Sequence, residues 1–432
     1  MPSSRMLADQ FAISRNTVVL VYDRLIAEGL LETRPAQGTF VVEQAASAGR
    51  LSVVGGNEAD IASVLPLKIW RADPALFPLV RWRVLMRSAL DSLGSGAGRQ
   101  HPAGEPLLRK AVAAWLSASR AIAVSPEQIV LTESRQHAVH IASRLALQPN
   151  SRVVLEDPSE DLTLAAYNDA GAEIVRVPVD SEGLRTDLLP DGIADLVHVT
   201  PEHQRLLGAP LSLERRHALL GWAKRAGAMV LEDDSPGELH YGSRHAPPLI
   251  FLDHDQRVML IGSFSSSLGP WLRMSYLVVP RRLSLAAASI CQVVGGSPSR
   301  MEQIAMAELL QGGCYARHVH KVGKIYAARC DALVAALHRH FGRGQTVWGA
   351  HAGLHLAWFP GSDIGCPGVI AQSARQCGLE AMALPVAAGH TGLGAQAVML
   401  GFGTLSETQI DQRVERLAAI LPKYIEMAMS AD

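Results

Sequence analysis

Apolar positions recur along this chain with two different periods. Near the N-terminus they follow helical spacing. Met6, Leu7 and Phe11 share one side of a short segment behind Ser3 and Ser4. Val18, Val21, Tyr22, Leu25 and Ile26 share one side of a second segment that begins after Ser14. Ser14 is placed to accept the Thr17 backbone N–H as a helix cap, and Gly29 suits the stop. Two short apolar runs flanking Arg34-Pro35-Ala36-Gln37-Gly38 predict a hairpin. Further along, helical spacing predicts helices over 76–93, with Trp82, Leu85 and Leu93 among their apolar positions, over 104–119 and over 136–147. Short, almost wholly apolar runs at 129–132, 153–158, 174–179, 196–201, 229–234 and 258–264 read as strands. Apolar strands alternating with helices predict an α/β fold with a mostly parallel sheet covered on both faces. Ligand groups on such a sheet sit at the carboxyl ends of strands, here Glu156-Asp157, Thr200-Pro201, Asp233-Asp234 and Ser263 to Ser266.

Between these regions the composition shifts to Ala, Ser and Gly, with Gly55-Gly56, which reads as a connector. The chain thus divides into residues 1–43, a linker at 44–64 and a large domain at 65–432. Its 432 residues, 48% hydrophobic and 19% charged, suffice for a sizeable core. A net charge of -1 gives no global attraction to nucleic acid, so any DNA contact must come from a local patch. Five cysteines without Cys-x-x-Cys spacing argue against a disulfide framework or a zinc site. The pairs His318/His320, His338/His340 and His351/His355 lack carboxylate or thiol companions at ligand spacing; solvated helix histidines are expected, and no metal. No apolar run has transmembrane length and the N-terminus is polar, so the cytoplasm is the expected location.

Helix, short turn, helix and β-ribbon is the order of a winged helix-turn-helix. Arg15, Asn16 and Thr17 at the start of its second helix would face a major groove, and Arg5 and Arg34 would reach phosphates. Acidic residues balance the arginines over the first fifty positions, so charge alone fits a solvated helix pair equally well. The pattern PSSR…LA…SRNTV…Y..L…G.L…R…GTFV resembles the GntR-type winged helix. That resemblance implies double-stranded DNA as a partner, with Arg5, Arg15, Thr17, Arg34 and Gly38 at the DNA surface. GntR-type domains carry a further helix ahead of this motif, so the winged helix is expected to be partial. A non-DNA-binding partner of a complete regulator is therefore a separate reading.

The stretch LIGSFSSSLGPWLRMSYLVVP at 260–280 resembles the cofactor segment of fold-type I aminotransferases. Segments such as HPAGEPLLRKAVAAWL, DLVHVTPEHQ, LSLERRHALLGWAKRAGAMVLEDD and LGFGTLSETQI extend the likeness over the large domain. The whole chain resembles a MocR-type regulator, a GntR-type winged helix fused to an aminotransferase class I-like domain. The resemblance implies a homodimer and a site for pyridoxal phosphate. Asp233, Ser263, Ser265 and Arg273 match family cofactor positions. Ser266 stands where the imine-forming lysine belongs, and a hydroxyl cannot form that bond. Ser235 replaces a tyrosine, Glu160 a ring-stacking aromatic, Ser134 a glycine, and Met399 the arginine for a substrate carboxylate. Arg205 to Gly208 stands in place of a Pro-Thr-Gly-like turn. Covalent cofactor capture and transamination are therefore not expected; the alternative is an active enzyme using a non-standard lysine. Arg135, Arg205 and Arg273 either make a pocket for an anionic small-molecule effector, or Arg135 pairs with Glu160 and fills the vacated space.

Overall fold

The computed structural model describes residues 1–11, 13–27, 31–34, 38–41, 69–93, 101–235, 237–241, 246–361, 364–384 and 397–429. The chain divides into two compact units, Met1–Pro66 and Leu67–Asp432. The expected linker at 44–64, the stop at Gly29 and the hairpin tip at 35–37 lie outside the described residues.

In the first unit, helices α1 (Ser4–Phe11) and α2 (Arg15–Ala27) precede strands β1 (Leu31–Arg34) and β2 (Gly38–Val41). The strands pair antiparallel, with Thr33 opposite Thr39 and Arg34 opposite Gly38. Ser14 caps α2, its hydroxyl accepting the Thr17 N–H at 3.2 Å, and Ser3 accepts the Met6 N–H at 3.3 Å. The core is small: Ala8, Val18, Tyr22 and Leu31 are buried, with Leu7 and Leu25 packed against them. Met6, Phe11, Val21 and Ile26, expected on the inner face, are exposed. Two short helices and a ribbon cover only a narrow stripe, so every third or fourth residue is taken and its neighbours are left out.

The second unit is built on an eight-stranded sheet. Helices α3 (Leu79–Leu93) and α4 (Pro106–Arg120) lead into β3 (Ile129–Thr132) and α5 (Arg135–Ala146). Then follow β4 (Arg152–Asp157), α6 (Asp161–Asp169), β5 (Glu173–Asp180), β6 (Gly183–Leu184), β7 (Leu196–Val199), α7 (Leu213–Ala226), β8 (Met229–Asp234), β9 (Val258–Ser263) and β10 (Ser275–Val278). The strand order is β3-β10-β9-β8-β7-β4-β5-β6. Strands β9, β8, β7, β4 and β5 run parallel, whereas β10 is antiparallel to both its neighbours and β6 to β5. Successive residues feed opposite faces. Leu196 and Leu231 enter the core beneath α5, while Val197 and Val230 enter the core beneath α7. Burial on both faces explains why these strands read as continuous apolar runs.

Helices α8 (Ser284–Val293), α9 (Arg300–Gln311) and α10 (Cys314–Phe341) lead to a second, antiparallel sheet. It comprises β11 (Thr346–Trp348), β12 (His355–Phe359), β13 (Glu380–Ala383) and β14 (Val398–Gly401), in the order β11-β12-β14-β13. Helices α11 (Pro367–Gln376) and α12 (Glu407–Met429) pack on it, with Trp358, Tyr326 and Phe402 fully buried in the shared core. Met399, which the resemblance sets in place of a substrate-binding arginine, is buried among Leu206, Ala357 and Phe359. No helix of the described residues is long and apolar enough to cross a membrane.

Candidate functional site

The parallel strands bring their carboxyl ends together, as the pattern of strand-end residues predicts. At the end of β4, Glu156 accepts the Thr200 N–H at 3.1 Å and the Thr200 hydroxyl at 2.6 Å. Burial lifts the Glu156 carboxyl to about 7, even though the Thr200 hydrogen bonds favour its charged form. At the end of β8, Asp233 is fully buried. One of its oxygens accepts from Arg135 Nε, and the other accepts from the Ser235 hydroxyl and, at 3.1 Å, from the Ser235 N–H.

Arg135 is the centre of this inner region. It is the first residue of α5, behind the Ser134 cap, whose hydroxyl accepts the His137 N–H at 3.1 Å. Its side chain runs inward rather than to solvent. Besides Asp233, Nη1 donates to Glu160 Oε2 at 2.9 Å and Nη2 to Thr163 Oγ1 at 3.0 Å. Glu160 also lies 3.4 Å from Arg205 Nε. Burial opposes ionisation of both acids. Arg135 outweighs it at Asp233, and Arg205 with Arg135 outweighs it at Glu160, so both carboxyl pKa values fall below the usual range. His198 Nε2 approaches Asp233 at 3.6 Å, and Nδ1 of the same ring is 2.9 Å from the Tyr167 hydroxyl.

Outside this network lies a cavity of about 510 Å³, lined by Trp70, Arg205, Ser263, Ser266, Arg273 and His355 among others. Ser266 donates to the Ser235 carbonyl at 3.0 Å, and Ser263 accepts from the Ser265 N–H at 3.2 Å and the Ser275 hydroxyl at 3.0 Å. Arg273 is 70% exposed, and among the described residues its ion-pair partner is Glu133, at 3.9 Å. The guanidinium of Arg205 stacks 4.4 Å above the Trp70 ring. No lysine lines the cavity among the described residues; Lys110, Lys224, Lys321 and Lys324 are exposed on helices.

Two cavity residues carried no signal in the sequence reading: His203 and His355, the latter expected to be solvated. Both are buried, their rings 4.7 Å apart edge to face. Among the described residues none of their four ring nitrogens has a hydrogen-bond partner. The room for His203 comes from glycine: a Cβ at Gly353 would lie 3.0 Å from Nε2, and one at Gly349 2.9 Å from Cε1. Burial and the neighbouring imidazoles hold His203 well below its usual pKa, and burial with Arg205 pushes His355 down to about 3. Both rings are neutral at pH 7. His318, also expected in solvent, is buried with Nε2 2.8 Å from the Ser267 carbonyl. Among the described residues no cluster of three His, Cys, Asp or Glu side chains is arranged to hold a metal.

In the first unit, Arg5, Arg15, Asn16 and Thr17 are all exposed. Thr17, however, turns its own hydroxyl toward Ser14 at 3.3 Å, so that donor is partly spent on the cap. Gly38 opens β2 with φ at +110°, a conformation that L side chains rarely adopt. Arg34 ends β1; its side chain lies outside the described residues.

Residues 75–359 match the family described as Aminotransferase class I and II, and residues 1–41 match the bacterial regulatory proteins of the gntR family. Over 375 residues the chain is 31% identical to the probable rhizopine catabolism regulatory protein MocR of Rhizobium meliloti, spanning 82% of this chain and 76% of that one. This chain belongs to the MocR-type regulators. Another relative, the HTH-type pyridoxine biosynthesis transcriptional regulator PdxR of Corynebacterium glutamicum, is 30% identical over 76% of this chain and 72% of its own length. Among solved structures, an archaeal alanine:glyoxylate aminotransferase superposes with a TM-score of 0.74 at 25% identity, covering 84% of this chain and 94% of that one. As a MocR-type protein, the chain is a transcriptional regulator with an aminotransferase-like domain.

The aminotransferase fold implies pyridoxal phosphate, which needs a phosphate cradle and, for its ring, a free carboxylate, a flat slot and a nearby amine. The phosphate end fits: Ser263, Ser265 and Arg273 line open space. The ring end does not fit. Both oxygens of Asp233 are taken by Arg135 and Ser235, and the Glu160 carboxylate projects into the same network.

Proposed function

We propose that this regulator binds double-stranded DNA through its winged-helix unit and that its aminotransferase-like domain performs no transamination. The second unit instead serves as a homodimerisation platform and a receptor for a small organic anion, in the cytoplasm. The observation that carries the inactivity is the cleft itself. Ser266, which the resemblance sets at the position of the imine-forming lysine, uses its hydroxyl on the Ser235 carbonyl, and among the described residues no lysine lines the cavity. Nucleophilic attack on an aldehyde requires an amine, which a serine does not supply.

For the anion, Arg273 and the Ser263 hydroxyl supply donors at one end of the cavity, and Arg205, shared with Glu160, lines the other. Of the two readings of the arginines, the contacts favour pairing for Arg135, now with both Glu160 and Asp233; Arg205 is drawn to Glu160 as well, and Arg273 is the arginine exposed to a ligand. His203 and His355, each neutral imidazole with one donor and one acceptor, favour a ligand that also carries hydroxyl groups.

On the DNA side we assign Arg15 and Asn16 to base or phosphate contacts, with Arg5, Thr17, Arg34 and Gly38 at the same surface. Fluorescence anisotropy of the full chain on the DNA upstream of its own gene tests this. Saturable binding is expected, weakened by Arg15→Ala, with the salt slope reduced by about 1 if Arg15 contacts a phosphate. Binding that is unchanged by Arg15→Ala at every salt concentration would remove Arg15 from the interface. A parallel assay of amino acids with keto acids tests the inactivity: turnover that disappears in Asp233→Ala would overturn it.

A further inference from the structure

The misfit at the ring end has a specific author, Arg135. Its position is electrostatically awkward for a cation, because the first turn of α5 presents unpaired N–H groups and favours negative charge. The side chain is nevertheless buried, with Nε, Nη1 and Nη2 donating to Asp233, Glu160 and Thr163. Such a burial holds only if nearby carboxylates compensate it. The cluster is balanced: Asp233 and Glu160 carry two negative charges, and Arg135 and Arg205 two positive ones. Asp233 is also the residue that, in the aminotransferase resemblance, pairs with a protonated ring nitrogen.

We propose that the Arg135 guanidinium is a built-in substitute for the cofactor's pyridinium: it satisfies Asp233 from within the chain and closes the ring site to pyridine-type ligands. The domain then keeps its strand ends in place with no cofactor bound. Removing the guanidinium would reopen a latent site for a cationic heteroaromatic ring. This rests on the MocR-type assignment but not on the regulator's DNA contacts or inactivity, which are read in separate assays.

The probe is pyridoxine 5′-phosphate, which has no aldehyde and forms no imine with surface lysines. Benzyl phosphate, which lacks the ring nitrogen, is the control. Thermal shift and calorimetric titration are carried out on the full chain. The native protein is expected to show no preference between the two, since only phosphate groups find a place. Arg135→Ser is expected to melt about 5 °C lower, because a buried carboxylate loses its partner. The same variant is expected to prefer pyridoxine 5′-phosphate by roughly tenfold or more. A clear preference in the native protein, or none in folded Arg135→Ser, overturns the proposal. If Arg135→Ser does not fold, the double variant Arg135→Ser with Asp233→Asn decides: removing the orphaned charge should recover stability without any ring preference. A double variant as unstable as the single one contradicts the substitution of one cation for another.

Discussion

In the inner half of the cleft, Asp233 and Glu160 share the Arg135 guanidinium, and Thr163 accepts from its Nη2. In the outer half, His203 and His355 bury four ring nitrogens without a hydrogen-bond partner among the described residues, and Arg273 is exposed at the rim of the cavity. Both halves grow from the same strand ends and loops of one fold. The inner half pairs its buried carboxylates Asp233 and Glu160 with its own guanidiniums. The outer half leaves its polar groups for something else, at a cost of about 1–3 kcal/mol for each unsatisfied buried group. A domain that had merely decayed would not balance two carboxylates against two guanidiniums while keeping a polar cavity beside them. The difference separates a part that holds structure from a part that is available to a ligand.

The sharpest way to break this comparison is Asp233→Ala. Leaving Arg135 buried with Glu160 as its one remaining carboxylate should cost about 3–5 kcal/mol in urea unfolding of the full chain. A loss within experimental error would show that the inner half is not held by charge.

Acid titration sharpens the other side. The folded His355 pKa lies near 3, below the ordinary imidazole value of 6.5. Its contribution is therefore present above 6.5 and is lost as pH falls from about 6.5 toward 3. His355→Gln should flatten that limb of the stability curve. An unchanged limb would place the acid sensitivity elsewhere.

Glu156 has the opposite sign. Burial raises its carboxyl from 4.5 to about 7, so its contribution is present below 4.5 and is lost as pH rises through 7. Glu156→Gln should remove a fall in stability between those values, measured by the midpoint of thermal unfolding. A steeper fall would contradict the assignment. The smallest effect is expected at Arg273, exposed and distant from its one acidic neighbour. Arg273→Ala should change stability by less than about 0.5 kcal/mol while weakening inorganic phosphate binding, measured by calorimetry.

Much of this architecture was legible in the chain. Strands buried on both faces announce themselves as apolar runs, which is why β4, β7, β8 and β9 stand where the pattern predicts. Their carboxyl ends then located Glu156, Asp233 and Ser263 without knowledge of any contact. The small antiparallel sheet was not foreseen, since β11, β12 and β13 are three to five residues long and mix His, Thr and Glu with apolar residues. Arg135 and Glu160 were visible as a candidate pair 25 positions apart. The third partner, Asp233, is 98 positions from Arg135. Nothing in linear spacing tells which way an arginine at a helix start will turn. His203 escaped for a related reason: room for its ring is made by the backbone of Gly349 and Gly353, which has no sequence period.

The central claim is that the ring end of this cleft is closed to cofactor chemistry. It is tested most directly by incubating the full chain with pyridoxal phosphate, reducing with borohydride and mapping pyridoxyl-lysine by peptide mass spectrometry. The account predicts only sparse, substoichiometric labelling of exposed lysines such as Lys110 and Lys224. One stoichiometric adduct on a single lysine, abolished by Asp233→Ala, would contradict it.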